Sequence, residues 1–391
     1  MKKLWFAVIA ALAILLGADR SVVAQGVAPG SVVQAPNGQA YMVVPDDSGP
    51  LASPVGYSGS MATGSNSKGC TDGCCGKSNC DSCCPQGWCD RFFAYGGLMY
   101  LRSRNSELVY AMPVTGPINP NNASSNAPAG AVRVLDQDYS AGFFVGFGKY
   151  LDECSSIGFQ YNQFESNTRD DFALPGGGPF IRSLVSIPAA SSADVDGLSS
   201  FGSHSIRYKM GDIDYRNLFA YDHDYRLNFV AGLRMVQLNQ NFDGRFTQLG
   251  TVRNTTDIDF YGAGLKLGLE GERDVRRGFQ VYGKGYVSFV PGEFRNDYTQ
   301  TSGTQSATNV NASWSGGRIV TMADLELGGS WVSACGNLRL SAGYLLSSWS
   351  NVVQTRDWIR AAQTTDFTSS FNRMNSTMTF DGLMFRIEGR F

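Results

Sequence analysis

Histidine, charge and long apolar runs are all scarce in this chain. Two histidines, His204 and His223, stand among 391 residues, so little chemistry can rest on imidazole. Charged residues make up 17% and the net charge is −2, which excludes the basic surface that a nucleic-acid partner needs. After the first 20 residues no stretch is apolar for long enough to form a membrane helix. A transmembrane barrel escapes that test, because its apolar residues alternate with polar ones.

Glycine and aromatic residues are plentiful: 46 Gly, 17 Tyr and 24 Phe. They suit closely spaced, twisted strands better than a helical bundle. The stretch Thr377–Phe391 shows the pattern most clearly. One parity carries Leu383, Phe385, Ile387 and Phe391, and the other carries Arg386, Glu388 and Arg390. A period of two with one apolar and one charged face is a strand. A closing barrel strand that pairs with the first strand has this form.

Residues 1–24 read as a signal peptide: Lys2 and Lys3, an apolar core from Leu4 to Leu16, then Val22-Val23-Ala24 before a cut at Gln25. Residues 25–69, rich in Gly, Ser, Ala and Pro, read as a flexible linker. Residues 70–90 hold seven of the nine cysteines: Cys70, Cys74, Cys75, Cys80, Cys83, Cys84 and Cys89. An exported chain meets an oxidising compartment, so a small disulfide knot is expected. The spacing Cys80-x-x-Cys83 also suits a zinc ligand pair, but the second clean pair of a zinc ribbon is missing. Seven is odd, so one sulfur stays free, pairs with another chain, or joins Cys154 or Cys335.

Residues 91–391 read as ten strands: 91–103, 139–151, 155–167, 205–221, 224–239, 257–270, 279–290, 318–333, 336–348 and 377–391. Gly211 and Asp212 are candidates for a bulge in the fourth. Long connections (104–138, 168–204, 240–256, 291–317 and 349–376) alternate with short ones, 271–278 among them. Outer-membrane barrels have this asymmetry, with long loops outside and tight turns in the periplasm. Lipid offers the backbone no hydrogen-bond partner, so a spanning sheet must close on itself. The expected fold is therefore all-β: a closed antiparallel transmembrane barrel of about ten strands, with eight or twelve as alternatives. The expected place is the outer membrane, in contact with its lipid bilayer, with the Cys-rich N-terminal segment in the periplasm.

Arg216, Arg226, Arg234, Lys266, Lys284, Asp324, Glu326, Arg339, Arg386 and Glu388 share the parity expected to face the lumen. A ten-stranded barrel is narrow, so these charges either line a hydrated pore or fill it as pairs. A pore for small solutes needs no cofactor and no catalytic residue. The alternative is a structural or adhesive barrel that presents its long loops. A hydrolase would need His204, between Ser203 and Ser205, to meet an acidic pair such as Asp170-Asp171. His223, beside Asp222 and Asp224, reads as a solvated turn residue.

The segment Phe92-Phe93-Ala94-Tyr95-Gly96-Gly97-Leu98-Met99-Tyr100-Leu101-Arg102, after a signal peptide, a linker and a Cys-Cys-rich knot, resembles the outer-membrane β-barrel proteins common in planctomycetes. The layout is similar, more distantly, to the pore-forming major outer-membrane protein family of Legionella. The resemblance implies a barrel, a pore-forming role and no catalytic residues. Phe391 resembles the C-terminal signal read by the barrel-assembly machinery, which that machinery's role as a partner would explain. The Cys-rich segment leaves room for an intermolecular disulfide.

Overall fold

A computed structural model describes residues 32–34, 40–42, 92–115, 127–152, 154–174, 179–187, 196–222, 224–247, 250–302, 307–334, 336–364 and 374–391. The signal peptide, the linker (apart from the hairpin given next), the Cys-rich segment and His223 lie outside them. A short hairpin pairs β1 (Val32–Gln34) with β2 (Ala40–Met42).

Ten antiparallel strands close into a barrel. In chain order they are β3 (Phe92–Arg104), β6 (Ser140–Tyr150), β7 (Ser155–Ala173), β10 (Ser199–Tyr221), β11 (Tyr225–Thr247), β12 (Thr251–Arg276), β13 (Phe279–Ser302), β14 (Ala307–Val332), β15 (Leu338–Val352) and β16 (Ser376–Arg390). Each pairs with the next, and β16 closes on β3 from Thr379↔Arg104 to Arg390↔Phe93. Beyond the last pair, Phe92 and Phe391 exchange both backbone hydrogen bonds at 3.0 Å. Between β3 and β6 lie β4 (Leu108–Val114) and β5 (Arg133–Leu135); between β7 and β10 lie β8 (Phe180–Ser183) and β9 (Asp196–Gly197). These four form a separate small sheet in the order β5-β4-β8-β9. A helix, α1 (Thr355–Gln363), sits between β15 and β16.

Two of the long connections expected from the sequence are strand instead. Within 240–256, β11 continues to Thr247 and β12 begins at Thr251. Within 291–317, β13 continues to Ser302 and β14 begins at Ala307. The connector expected at 271–278 narrows to Arg277-Gly278, with φ of 49° and 83°. Positive φ at both central residues is what a two-residue hairpin requires, and glycine adopts it without strain. Gly211 and Asp212 make no bulge; they pair with Met235 and Arg234, and the register shifts instead between Leu218 and Ala220.

The extended strands have a physical signature. In β11 the apolar parity near the short turns is odd and faces outward: Leu227, Phe229, Leu233 and Met235. Beyond Met235 it becomes even and faces inward: Val236, Leu238, Phe242 and Phe246. The same inversion separates Ile213 from Met210 and Tyr208 in β10, and Leu265 from Phe260 and Ile258 in β12. It separates Phe289 from Val290 and Phe294 in β13. The side-chain period of two never breaks, so the medium changes rather than the strand. Below the inversion the outside is oily, as in lipid; above it the outside is polar, as in water.

Exposed rings bound the oily zone. Tyr100, Tyr139, Tyr261 and Tyr344 ring its upper border, and Phe92, Phe219, Tyr221, Phe279 and Phe391 its lower one. Amphipathic rings belong at a membrane interface. Between Phe92 and Tyr100 the strand is about the length that crosses the apolar layer. Leu265, 63% exposed, faces outward within this zone. Leu265→Arg should lower stability by about 2–4 kcal/mol. Chemical unfolding from lipid vesicles checks it, and an unchanged midpoint would remove the lipid contact there.

Rings also cover bare backbone inside the barrel. In directly paired positions Tyr95 covers Gly146, Phe93 covers Gly148, Phe144 covers Gly97 and Tyr286 covers Gly268. A Cβ on any of these glycines would run into the neighbouring ring.

Candidate functional site: the charged interior

Inward positions within the oily zone carry charge on seven of the ten barrel strands, β10 to β16, in layers along the barrel axis. In the upper layer Arg234 (β11) grips Asp212 (β10) with two bonds of 2.9 Å and reaches Asp324 (β14) at 2.5 Å. Lys266 (β12) bonds Asp212 at 2.8 Å and Asp214 at 2.9 Å, and its ammonium stands 4.3 Å over the Tyr286 ring. Asp324 also accepts from Ser347 at 2.5 Å. These groups are almost fully buried, so they hold one another rather than water. A forked guanidinium between two carboxylates is the geometry in which arginine pairs best.

In the middle layer Arg216 meets Glu270 at 3.0 Å, and the Tyr286 hydroxyl donates to the same carboxylate. Glu326 takes Lys284 at 3.4 Å, Arg386 at 3.8 Å and the Tyr282 hydroxyl at 2.8 Å. Lowest, Arg339 meets Glu272 at 2.5 Å, Arg226 reaches it at 3.7 Å, and Arg390 pairs with Glu388 at 2.6 Å. All ten residues singled out from the sequence thus come together inside the barrel. Sequence reasoning placed Arg390 on the charged face of the last strand but missed Asp212, Asp214, Glu270 and Glu272. Their parity was the available signal: Asp212 and Asp214 alternate with Ile213 ahead of Arg216, and Glu270 and Glu272 continue the row of Lys266.

Two cavities lie among these charges. A lower one of about 170 Å³ reaches from Arg386 and Lys284 down to Cys154 and Arg390 at the short-turn end. A smaller one of about 60 Å³ lies between Arg386 and Trp349. Cys154 itself is disulfide-bonded, and the other eight cysteines all lie outside the described residues.

Above the charges the interior is apolar. Phe164, Tyr208, Trp349 and Phe380 form a ring cluster, with Tyr208 5.0 Å from Phe380 and 5.4 Å from both Phe164 and Trp349. Over it lies a polar layer. His204 bonds Gln137 through Nδ1 and the Thr355 hydroxyl through Nε2, both at 3.2 Å. Gln137 also accepts from Ser166. Higher still, the β5-β4-β8-β9 sheet and α1 fill the barrel. The Gln363 amide donates to the carbonyls of Leu184 and Ser186, and the Ile187 N–H donates to Gln300 on the opposite wall. The reason is the inversion described above: where the strands stand in water, an apolar interior is their only core.

His204 is 1% exposed and sits above the oily zone, level with outward Ser203 and Ser205. Asp170 bonds Tyr110 and Arg133 instead of His204, so among the described residues no acidic group completes a triad there. Burial pushes the imidazole down to about 4. The unfolded chain, with an ordinary imidazole, binds a proton at higher pH than the folded one. The stabilisation is thus whole above about pH 6.5 and is lost as pH falls through about 4. His204→Gln should flatten that part of the profile of unfolding midpoint against pH. Identical profiles for both proteins would exclude His204 as the group responsible.

The family model described as Legionella pneumophila major outer membrane protein precursor matches residues 94–389. No curated protein matches the chain. Among solved structures it is similar to the outer membrane protease OmpT from Escherichia coli, at 10% identity and a TM-score of 0.39, over 77% of this chain and 97% of that one. It is also similar to the Pseudomonas putida toluene transporter TodX, at 10% identity and a TM-score of 0.33, over 77% of this chain and 90% of that one.

Proposed function

The chain belongs to the Legionella pneumophila major outer membrane protein family, and from that membership we propose that it is a narrow pore for passive diffusion of small solutes, closed at its long-loop end in the state described here. One observation carries the reading: through the oily zone the interior is lined by charges of both signs and keeps cavity space between them. Rings of charged side chains are how pores hold and sort polar solutes. The short turns and the Cys-rich segment lie in the periplasm in this proposal, and the long-loop end faces outward. It includes two partners besides lipid: the barrel-assembly machinery, engaging Phe391, and a second chain joined by a disulfide from the Cys-rich segment. It assigns the protein no enzymatic role and no cofactor.

A second reading has its own observation. The ring cluster, the small sheet and α1 fill the long-loop half, which suits a structural or adhesive barrel that conducts nothing. Conductance of the purified protein in a planar bilayer separates the two. Discrete current steps support the pore; a silent membrane at high protein load removes it. A gel run with and without boiling accompanies the measurement, and a heat-dependent mobility shift shows that the sample is a folded barrel.

A further inference from the structure

We propose that the lower cavity binds a single small oxyanion, a phosphate or a carboxylate. The site would exist in a conducting or a silent barrel, so it goes beyond the pore reading. Six cations line the cavity: Arg216, Arg226, Lys284, Arg339, Arg386 and Arg390. Three carboxylates line it with them: Glu270, Glu272 and Glu388. Glu326 and Asp214 pair with Arg386 and Arg216 from above. Cations and carboxylates are thus interleaved around the cavity.

The pairing is also incomplete in geometry. Arg386 reaches its carboxylate only at 3.8 Å and Lys284 only at 3.4 Å, whereas the layer above is bonded at 2.5 to 2.9 Å. Arg216 Nη1, Arg339 Nε and Arg386 Nε are buried without an acceptor among the described residues. Buried N–H donors on charged groups are costly when left unmade. A small anion with several acceptor oxygens answers these donors, and guanidinium groups recognise such oxygens in pairs. The volume, about 170 Å³, admits a phosphate or a short carboxylate but no large ligand. The Arg386 guanidinium, 5.0 Å over the Tyr95 ring and 5.2 Å over that of Phe144, is already held in place. An incoming anion would therefore meet a preformed donor.

Calorimetric titration of the full, folded chain in detergent tests this. Inorganic phosphate and sodium acetate are added separately, in chloride buffer at constant ionic strength. Saturable binding of one ion per chain is expected, and the stronger of the two ligands names the source. Arg386→Gln should weaken binding by about tenfold or more while keeping the heat-dependent gel shift. Arg207→Gln, on the outer wall, should leave it unchanged. Absence of saturable binding by the wild type overturns the proposal, whatever the variants do. Binding that survives both Arg386→Gln and Arg339→Gln at full strength also overturns it, since the ion then sits elsewhere.

Discussion

Replacing residues 354–375 with a short turn should convert a poorly conducting barrel into an open one. The barrel wall does not depend on that segment: Val352 and Ser376 are already paired, so a tight turn can join β15 to β16. The interior does depend on it. Trp358, Ile359 and Ala361 of α1 are buried inside the barrel. The Thr355 N–H donates to Gln240, Gln354 donates to the Thr377 carbonyl, and Gln363 ties α1 to the small sheet. Burying one tryptophan and one isoleucine contributes several kcal/mol, enough to keep α1 seated nearly all the time. Without it, His204 and Gln240 lose partners and water gains the space. Mean current per channel should rise several-fold in a planar bilayer at matched protein load. Equal currents would mean that the small sheet and the ring cluster close the barrel unaided, and α1 would then be no gate.

The second large effect lies at Arg234. Its guanidinium neutralises Asp212 and Asp324 at once, in a layer almost without solvent. Arg234→Met keeps the bulk but leaves Asp212 to Lys266 alone and Asp324 to the Ser347 hydroxyl, with no cation beside it among the described residues. Removing one partner of a buried ion pair costs about 3–5 kcal/mol. Urea unfolding of the protein in vesicles should show a loss of that size. Adding Asp212→Asn and Asp324→Asn should restore most of it, because the charges that remain, Lys266 and Asp214, are still paired. A single variant as stable as the wild type would show that water reaches this layer freely.

The closed ten-stranded barrel was legible because a period of two with one oily face is hard to mistake over segments such as Leu338–Ser348 and Leu383–Phe391. Strand lengths were legible only up to the inversion. At Met235-Val236 and Phe260-Tyr261 two apolar neighbours stand side by side and the oily parity changes hands. A search for one continuous oily face loses its guide there, so the expected strands run only a few residues further, to 239 and 257, and the remainder reads as loop. The same sequence read as two half-strands of opposite polarity would have given the full length of β11 and β12. Helix α1 was hidden differently. Thr355–Gln363 has only one short apolar stripe, Trp358, Ile359 and Ala361, which makes sense only with a barrel interior to receive it. The charges of the interior were legible by parity, but their partners were not. Arg234 and Asp324 are 90 residues apart and meet only because the sheet closes.

The rings seated on glycines bear on how such a chain can change over generations. Tyr95 with Gly146, or Tyr286 with Gly268, is a single inherited unit of two letters. A side chain gained at the glycine evicts the ring, and a ring lost leaves a strip of naked peptide. Neither letter can drift alone without injury. Relatives of this chain should therefore exchange such letters together, or trade their places across the strand pair, at Gly97, Gly146, Gly148 and Gly268.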